Sequence, residues 1–322
     1  LWIALESTAV DSGDDDLSFF KMVIKMHQKD DNTDNIPFAV LCALTAHFLF
    51  SMMGFGAKYL TDEYHVTLIV FIRNLIVFVP FLIFMLRSKN RHLFKTNKPR
   101  LVIFRALVGS VSLIVTFYAL AILPMSYAAV LFFTSTILTP IIAAFVLKEL
   151  VGIHRIMAVI IGMIGVAIVS HPSGEVSVWG VILALCAAFM HATMFVTLRS
   201  LKSESPLTVT FYFVFAGMVF PALFLPLYGA VPSYDVLWIF VVVGISGGIA
   251  QLCLANAYKY APASVVTPFA YSSLIWTVLI DIFFWNYDLD FWAVSIGTAL
   301  IMGAQFYIIH REYVNKRRKA RP

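Results

Sequence analysis

Long apolar runs alternate with short polar connections along most of the chain, and the length of those runs sets the reading. A helix needs roughly 20 mostly apolar residues to cross a bilayer. Ten runs meet that length: 37–59, 66–86, 101–122, 125–147, 153–170, 177–198, 206–229, 235–257, 262–285 and 289–310. The connections are short and several carry turn residues, such as Pro124 and the stretch His171-Pro172-Ser173-Gly174. The pattern predicts an all-α integral membrane protein with ten transmembrane helices and no room for a soluble domain.

The basic residues fall in alternate connections. Arg87, Lys89, Arg91, Lys95, Lys98 and Arg100 follow the second run. Lys148 and Arg155 follow the fourth, Arg199 and Lys202 the sixth, and Lys259 the eighth. The tail carries Arg311, Lys316, Arg317, Arg318, Lys319 and Arg321. Lys and Arg collect on the cytoplasmic side, so the alternation predicts ten spans with both termini in the cytoplasm of a cell inner (plasma) membrane. Residues 1–36 are polar and acidic and read as a disordered cytoplasmic tail. Met26 is an alternative start within them, and 311–322 form a basic cytoplasmic tail.

The two halves repeat. At an offset of 141, Ala43 meets Ala184, Lys58 meets Arg199, Thr67 meets Thr208 and Pro80 meets Pro221. Further on, at 138, Gly109 meets Gly247, Ala119 meets Ala257, Pro124 meets Pro262 and Gly165 meets Gly303. Five spans per half make the second copy enter the membrane upside down, so the fold expected is two inverted five-helix repeats, 37–170 and 177–310. That architecture places a site at the repeat interface.

Composition agrees with a lipid-facing surface: 61% of residues are hydrophobic and 13% charged, against about 25% charged in soluble domains. The net charge of +5 is spread over short loops rather than one face, which argues against nucleic acid as a partner. Cys42, Cys186 and Cys253 lie within apolar runs with no CxxC spacing, so neither a metal site nor a disulfide framework is expected. No HExxH or GxxxxGK[ST] motif occurs, so catalysis, ATP hydrolysis and cofactors are not expected.

Several motifs resemble those of the drug/metabolite transporter superfamily in its EamA branch. They are Phe71-Ile72-Arg73-Asn74, Phe104-Arg105-Ala106-Leu107, the run from Tyr118 to Pro124, Thr139-Pro140, Lys148-Glu149 and Ile161 to Val166 with Gly165. The resemblance covers roughly residues 37–310. Tyr287 and Val214 depart from it where the repeat predicts a Glu and an Arg. It implies a central cavity between two inverted halves, with Pro124, Pro140, Glu149 and Gly165 as structural motif positions. Within the branch the spacing is most similar to S-adenosylmethionine uptake carriers. The function expected is secondary transport of a small polar metabolite by alternating access, in a monomer or homodimer. An amino-acid or other metabolite exporter is the alternative, and a lipid flippase or channel the non-carrier alternative.

Polar side chains inside spans mark candidate sites, because a charge at mid-bilayer costs at least about 2.5 kcal/mol. Arg73 is a deep cation, read either as a structural ion pair or as a substrate contact. Arg105, Gly109, Ser112, Thr116 and Ala119 share one helical face, as do Gly244, Gly248, Gln251, Ala255 and Tyr258. His47 and His191 sit mid-span on the same face of repeat-related helices, which points to a substrate or proton site with packing as the alternative. Asp281 is the one carboxylate well inside a span and the candidate coupling residue. Tyr271 shares its face, and Tyr271, Phe117, Tyr118, Phe133 and Trp276 are candidate stacking partners.

Overall fold

The computed structural model describes residues 35–86, 93–147, 177–261 and 266–286, with scattered positions within 157–168 and 292–307. Residues 1–34, most of the expected N-terminal tail, lie outside the described residues. The described residues are helical almost throughout. The first half supplies α1 (Ile36–Thr61), α2 (Val66–Leu86), α3 (Pro99–Ile122), α4 (Met125–Phe132) and α5 (Thr134–Leu147). The second supplies α6 (Val178–Ser200), α7 (Pro206–Ala222), α8 (Leu237–Tyr260) and α9 (Ser272–Trp285). Gly165 is a buried helical position. Glu149 and the basic tail lie outside the described residues, and of Pro140 only its place in the backbone of α5 is described.

Local sequence accounts for the helix ends. Pro99 and Pro206 open α3 and α7, where a missing N–H costs nothing. Ser177 caps α6 by accepting from the Gly180 N–H at 3.4 Å. Among the described residues, five helices are long and apolar enough to cross a membrane: Ile36–Thr61, Val66–Leu86, Pro99–Ile122, Val178–Ser200 and Tyr234–Tyr260. Met125–Thr139, Pro206–Ala222 and Phe269–Trp285 are apolar but shorter.

Three expected spans are therefore interrupted. The run 125–147 loses regular α-helical bonding at Phe133, which keeps right-handed helical dihedrals (φ −63°, ψ −17°). The run 262–285 begins as a 3₁₀ turn, Thr267–Tyr271, and becomes α-helical at Ser272. These two irregular turns occupy equivalent places in the repeat, since Phe133 and Tyr271 are 138 positions apart. Their rings meet edge to face at 4.8 Å. The third run, 206–229, stops after Pro221, and a single further turn, Leu225–Tyr228, follows.

Packing joins the halves. α1 lies along α8 and α3 along α6; α2 pairs with α7 and α4 with α9; α5 packs on α6 and α9 on α1. Exchanging each helix for its repeat counterpart returns the same set. α1–α8 becomes α6–α3, α5–α6 becomes α9–α1, α2–α7 maps onto itself, and α4–α9 becomes the contact of the Thr267–Tyr271 turn with α5. The outward faces are apolar: Trp179 is 72% exposed and Phe283 74%. Large exposed apolar faces of this kind suit lipid rather than water.

Candidate functional site

A cavity of about 160 Å³ lies where the two halves meet. Its polar lining includes His47 and Ser51 from α1, Thr116 from α3, His191 from α6 and Gln251 from α8. Apolar lining comes from Phe50, Phe132, Phe133, Phe195, Met53 and Met194 among others. The α4–α5 junction puts Phe132, Phe133 and Ser135 on this wall. Aromatic walls with a few convergent polar groups are the usual make-up of a small-molecule site.

The two histidines share this cavity. His191 Nε2 lies 3.2 Å from Thr116 Oγ1, and its ring contacts Phe132 edge to face at 5.6 Å. Thr116 Oγ1 also donates to the Ser112 carbonyl one turn below, at 2.7 Å. The His47 ring lies 6.2 Å from that of Phe50. Among the sequence candidates, His47, Thr116, His191 and Gln251 line the cavity, whereas Arg73, Arg105, Ser112, Tyr271 and Asp281 do not. Tyr271 stands behind Phe133, with its hydroxyl 3.0 Å from Thr136 Oγ1.

Arg73 and Arg105 form a second, buried cluster at 0% and 1% exposure. Their Cζ atoms lie 5.8 Å and 4.8 Å from the centroid of the Phe213 ring of α7. Arg73 Nη1 donates to Asn74 Oδ1 at 2.7 Å, and the Asn74 amide donates to the carbonyls of Val70 and Gly217 at 2.8 Å and 2.9 Å. Arg105 Nη2 donates to Gln251 Oε1 at 3.2 Å. The remaining nitrogens, Arg73 Nε and Nη2 and Arg105 Nε and Nη1, have no hydrogen-bond partner among the described residues.

A third arrangement grips the turn between α3 and α4. Lys58 Nζ donates to the carbonyls of Leu120 and Leu123 at 2.8 Å and 2.6 Å, capping the end of α3. Asp281 accepts the Met125 and Ser126 N–H groups at 3.0 Å and 2.6 Å, capping the start of α4. Each charge complements the helix terminus it touches. The second half repeats the cation: Arg199 Nη1 donates to the carbonyls of Tyr258 and Ala261 at 3.4 Å and 3.3 Å. Tyr258 and Ala261 stand 138 positions after Leu120 and Leu123, and Arg199 stands 141 after Lys58.

Sequence reasoning passed over Met53, Met194 and Phe213. The signal available was the repeat itself, since Met53 and Met194 are 141 positions apart. Among the described residues no group of His, Cys, Asp and Glu has the arrangement of a metal site. Cys42, Cys186 and Cys253 are free thiols.

The model of the EamA-like transporter family matches this chain twice, over residues 37–171 and 178–309. An uncharacterised transporter of Helicobacter pylori strain J99 is 28% identical over 84% of this chain and 93% of its own. An S-adenosylmethionine uptake transporter of Rickettsia prowazekii is 26% identical over 80% of this chain and 87% of its own. A riboflavin transporter of Vibrio cholerae is 26% identical over 87% of this chain and 95% of its own. A solved crystal structure superposes with a TM-score of 0.64 at 19% identity, covering 84% of this chain and 96% of that one, a likeness of fold alone.

Proposed function

As the chain belongs to the EamA-like transporter family and is a membrane transporter by that kinship, we propose that it is a secondary carrier. It moves a small polar metabolite across the cell inner membrane by alternating access of two inverted five-span halves, with both termini in the cytoplasm. The observation that carries this reading is the cavity on the seam between the halves, lined by His47, Thr116, His191 and Gln251. Its helices are related by the repeat, so a rocking motion of one half against the other opens the same site to either face.

The site has a division of labour. The rings of Phe50, Phe132 and Phe195 offer stacking surfaces, and the imidazoles, Thr116 and Gln251 offer hydrogen bonds at fixed places. S-adenosylmethionine, carrying a purine and an amino-acid end, suits such a wall, and the named relatives make it the first substrate to try. Asp281 couples in this reading through the α3–α4 turn. Protonating its carboxylate weakens its hold on the N–H groups of Met125 and Ser126, and Met125 lines the cavity.

The test is uptake of labelled S-adenosylmethionine, methionine and riboflavin into cells that lack import of each. Accumulation of S-adenosylmethionine, reduced at least about tenfold by His191→Phe, is the expected result. Export of these compounds from loaded cells with no uptake would favour the exporter reading. Indifference to all three, with normal amounts of protein in the membrane, would remove the substrate assignment.

A further inference from the structure

Two guanidiniums packed round one phenylalanine ring are an unusual thing to bury. Arginine stays charged in proteins, and a buried charge without a partner is costly. Neither Arg73 nor Arg105 meets a carboxylate among the described residues; their acceptors are two neutral amides, Asn74 and Gln251. The repeat gives no balancing charge either, because the equivalents of Arg73 and Arg105 in the second half are Val214 and Val243, both buried. The cluster is a positive site on one side of an otherwise symmetric seam.

Geometry specifies what it lacks. The two unpartnered nitrogens of Arg73, Nε and Nη2, form the side-on edge of its guanidinium, the edge that grips a carboxylate with two parallel hydrogen bonds. That edge faces Gly247, where a methyl group would stand 2.6 Å from both nitrogens, and Met53 Sδ reaches the same point at 2.6 Å. In the other half Met194 Sδ lies in the same way against Gly109, beside the Phe213 ring. Met53 and Met194 both line the cavity, and Gln251, which holds Arg105, lines it too. Met53 and Gln251 thus adjoin both the cavity and the arginines, and methionine is an adaptable, easily displaced cover.

We propose that Arg73 and Arg105 form the receptor for a carboxylate on the carried metabolite, which reaches the Arg73 fork by displacing Met53. The proposal rests on the carrier reading and narrows its substrate to an anion-bearing compound with its apolar or ring portion left in the aromatic cavity. The occupied site then has a counter-charge, and the displaced Met53 signals occupancy to the α1–α8 contact, where Met53 meets Gly247.

Purified protein in lipid nanodiscs is titrated with pairs of compounds that differ in one carboxylate: S-adenosylmethionine against its decarboxylated form, and methionine against methioninamide. The rise in thermal unfolding midpoint is read at ionic strength matched with sodium chloride. The carboxylate member of at least one pair is expected to half-saturate at about tenfold lower concentration. Arg73→Gln should erase that difference. Because that variant can fail to fold, Gln251→Glu is the second arm. Its own carboxylate supplies the missing counter-charge to Arg105, so the ligand-free protein should unfold at a higher temperature and the carboxylate preference should vanish. Equal responses within every pair, no response beyond sodium chloride, or a preference that survives Gln251→Glu would each overturn the receptor. Uptake measured in parallel separates the two readings. Transport of a carboxylate-free member as fast as its partner keeps the carrier and removes the receptor, whereas a carboxylate preference lost in Gln251→Glu without any transport does the reverse.

Discussion

At the scale of single residues, the deepest charges divide into those that hold helix ends and those that have no such task. Lys58 makes two short bonds to the carbonyls that end α3, and bonds from a charged donor each contribute about 1.5–3 kcal/mol. Lys58→Met is therefore expected to lower unfolding stability in detergent by about 2 kcal/mol or more. Arg199→Met should cost less, since its bonds to Tyr258 and Ala261 are 3.3–3.4 Å long. Asp281→Asn keeps one acceptor and turns an amide N–H toward a backbone N–H, so a loss of about 1–3 kcal/mol is expected. If Asp281 also couples protons, this variant loses the pH dependence of transport; an unchanged pH profile would leave the carboxylate with its capping task alone. His65, in the connection between α1 and α2, gives a pH effect of its own. It contacts Tyr118 Oη at 2.9 Å and stacks on Tyr228 at 4.0 Å, and burial lowers its pKa. The unfolded chain takes up the proton first, so stability holds at neutral pH and falls as pH drops below about 6.5. His65→Gln should flatten that part of a stability–pH curve. Periodicity could place His47, His191, Thr116 and Gln251 on particular helix faces, because a period of 3.6 residues is written in the sequence. It could not say that Asp281 grips another helix, because the partners are backbone N–H groups that no side-chain pattern reveals.

At the scale of elements, the bounds of α1, α2, α3 and α6 follow apolar runs and stand within a few residues of them. The interruptions at Phe133, after Pro221 and before Ser272 were not legible as such. Hydropathy is continuous across each of them, and hydropathy is what a span is read from. In α5, Pro140 withholds the N–H that the Thr136 carbonyl would otherwise accept, and Thr136 Oγ1 bonds to the Phe133 carbonyl at 2.7 Å. The Phe133 carbonyl also accepts the Thr136 N–H at 2.9 Å, a 3₁₀-type bond made without any polar gap in the run. The two irregular turns meet through Phe133 and Tyr271. The α1–α8 contact makes a sharper test of packing. A methyl group on Gly56 would stand 2.5 Å from Val243 Cγ2 and 3.3 Å from Ile239 Cγ2. Both neighbours are β-branched and stiff, so Gly56→Ala should destabilise by about 1–3 kcal/mol, read as a lower unfolding midpoint.

At the scale of the whole molecule, the repeat was legible because matched Pro, Gly and Lys/Arg are rarer than matched apolar residues. Its consequence in three dimensions, a contact set that survives exchange of the halves, needed the structure. The repeat-equivalent cations Lys58 and Arg199, each on the carbonyls ending the third helix of its own half, give the same answer at atomic detail. The proposed topology is testable with a reporter active only outside the cytoplasm: fused after Pro322 it should be silent, and inserted at Ser173 it should be active. The central claim, a carrier that alternates about a site between the halves, is tested most directly by counterflow. Proteoliposomes holding the protein are loaded with unlabelled S-adenosylmethionine and diluted into a trace of the labelled compound. A carrier accumulates label transiently above its outside concentration and then releases it, and His191→Phe vesicles show no overshoot. Label that only equilibrates through the protein, without an overshoot, would contradict the carrier and point to a channel.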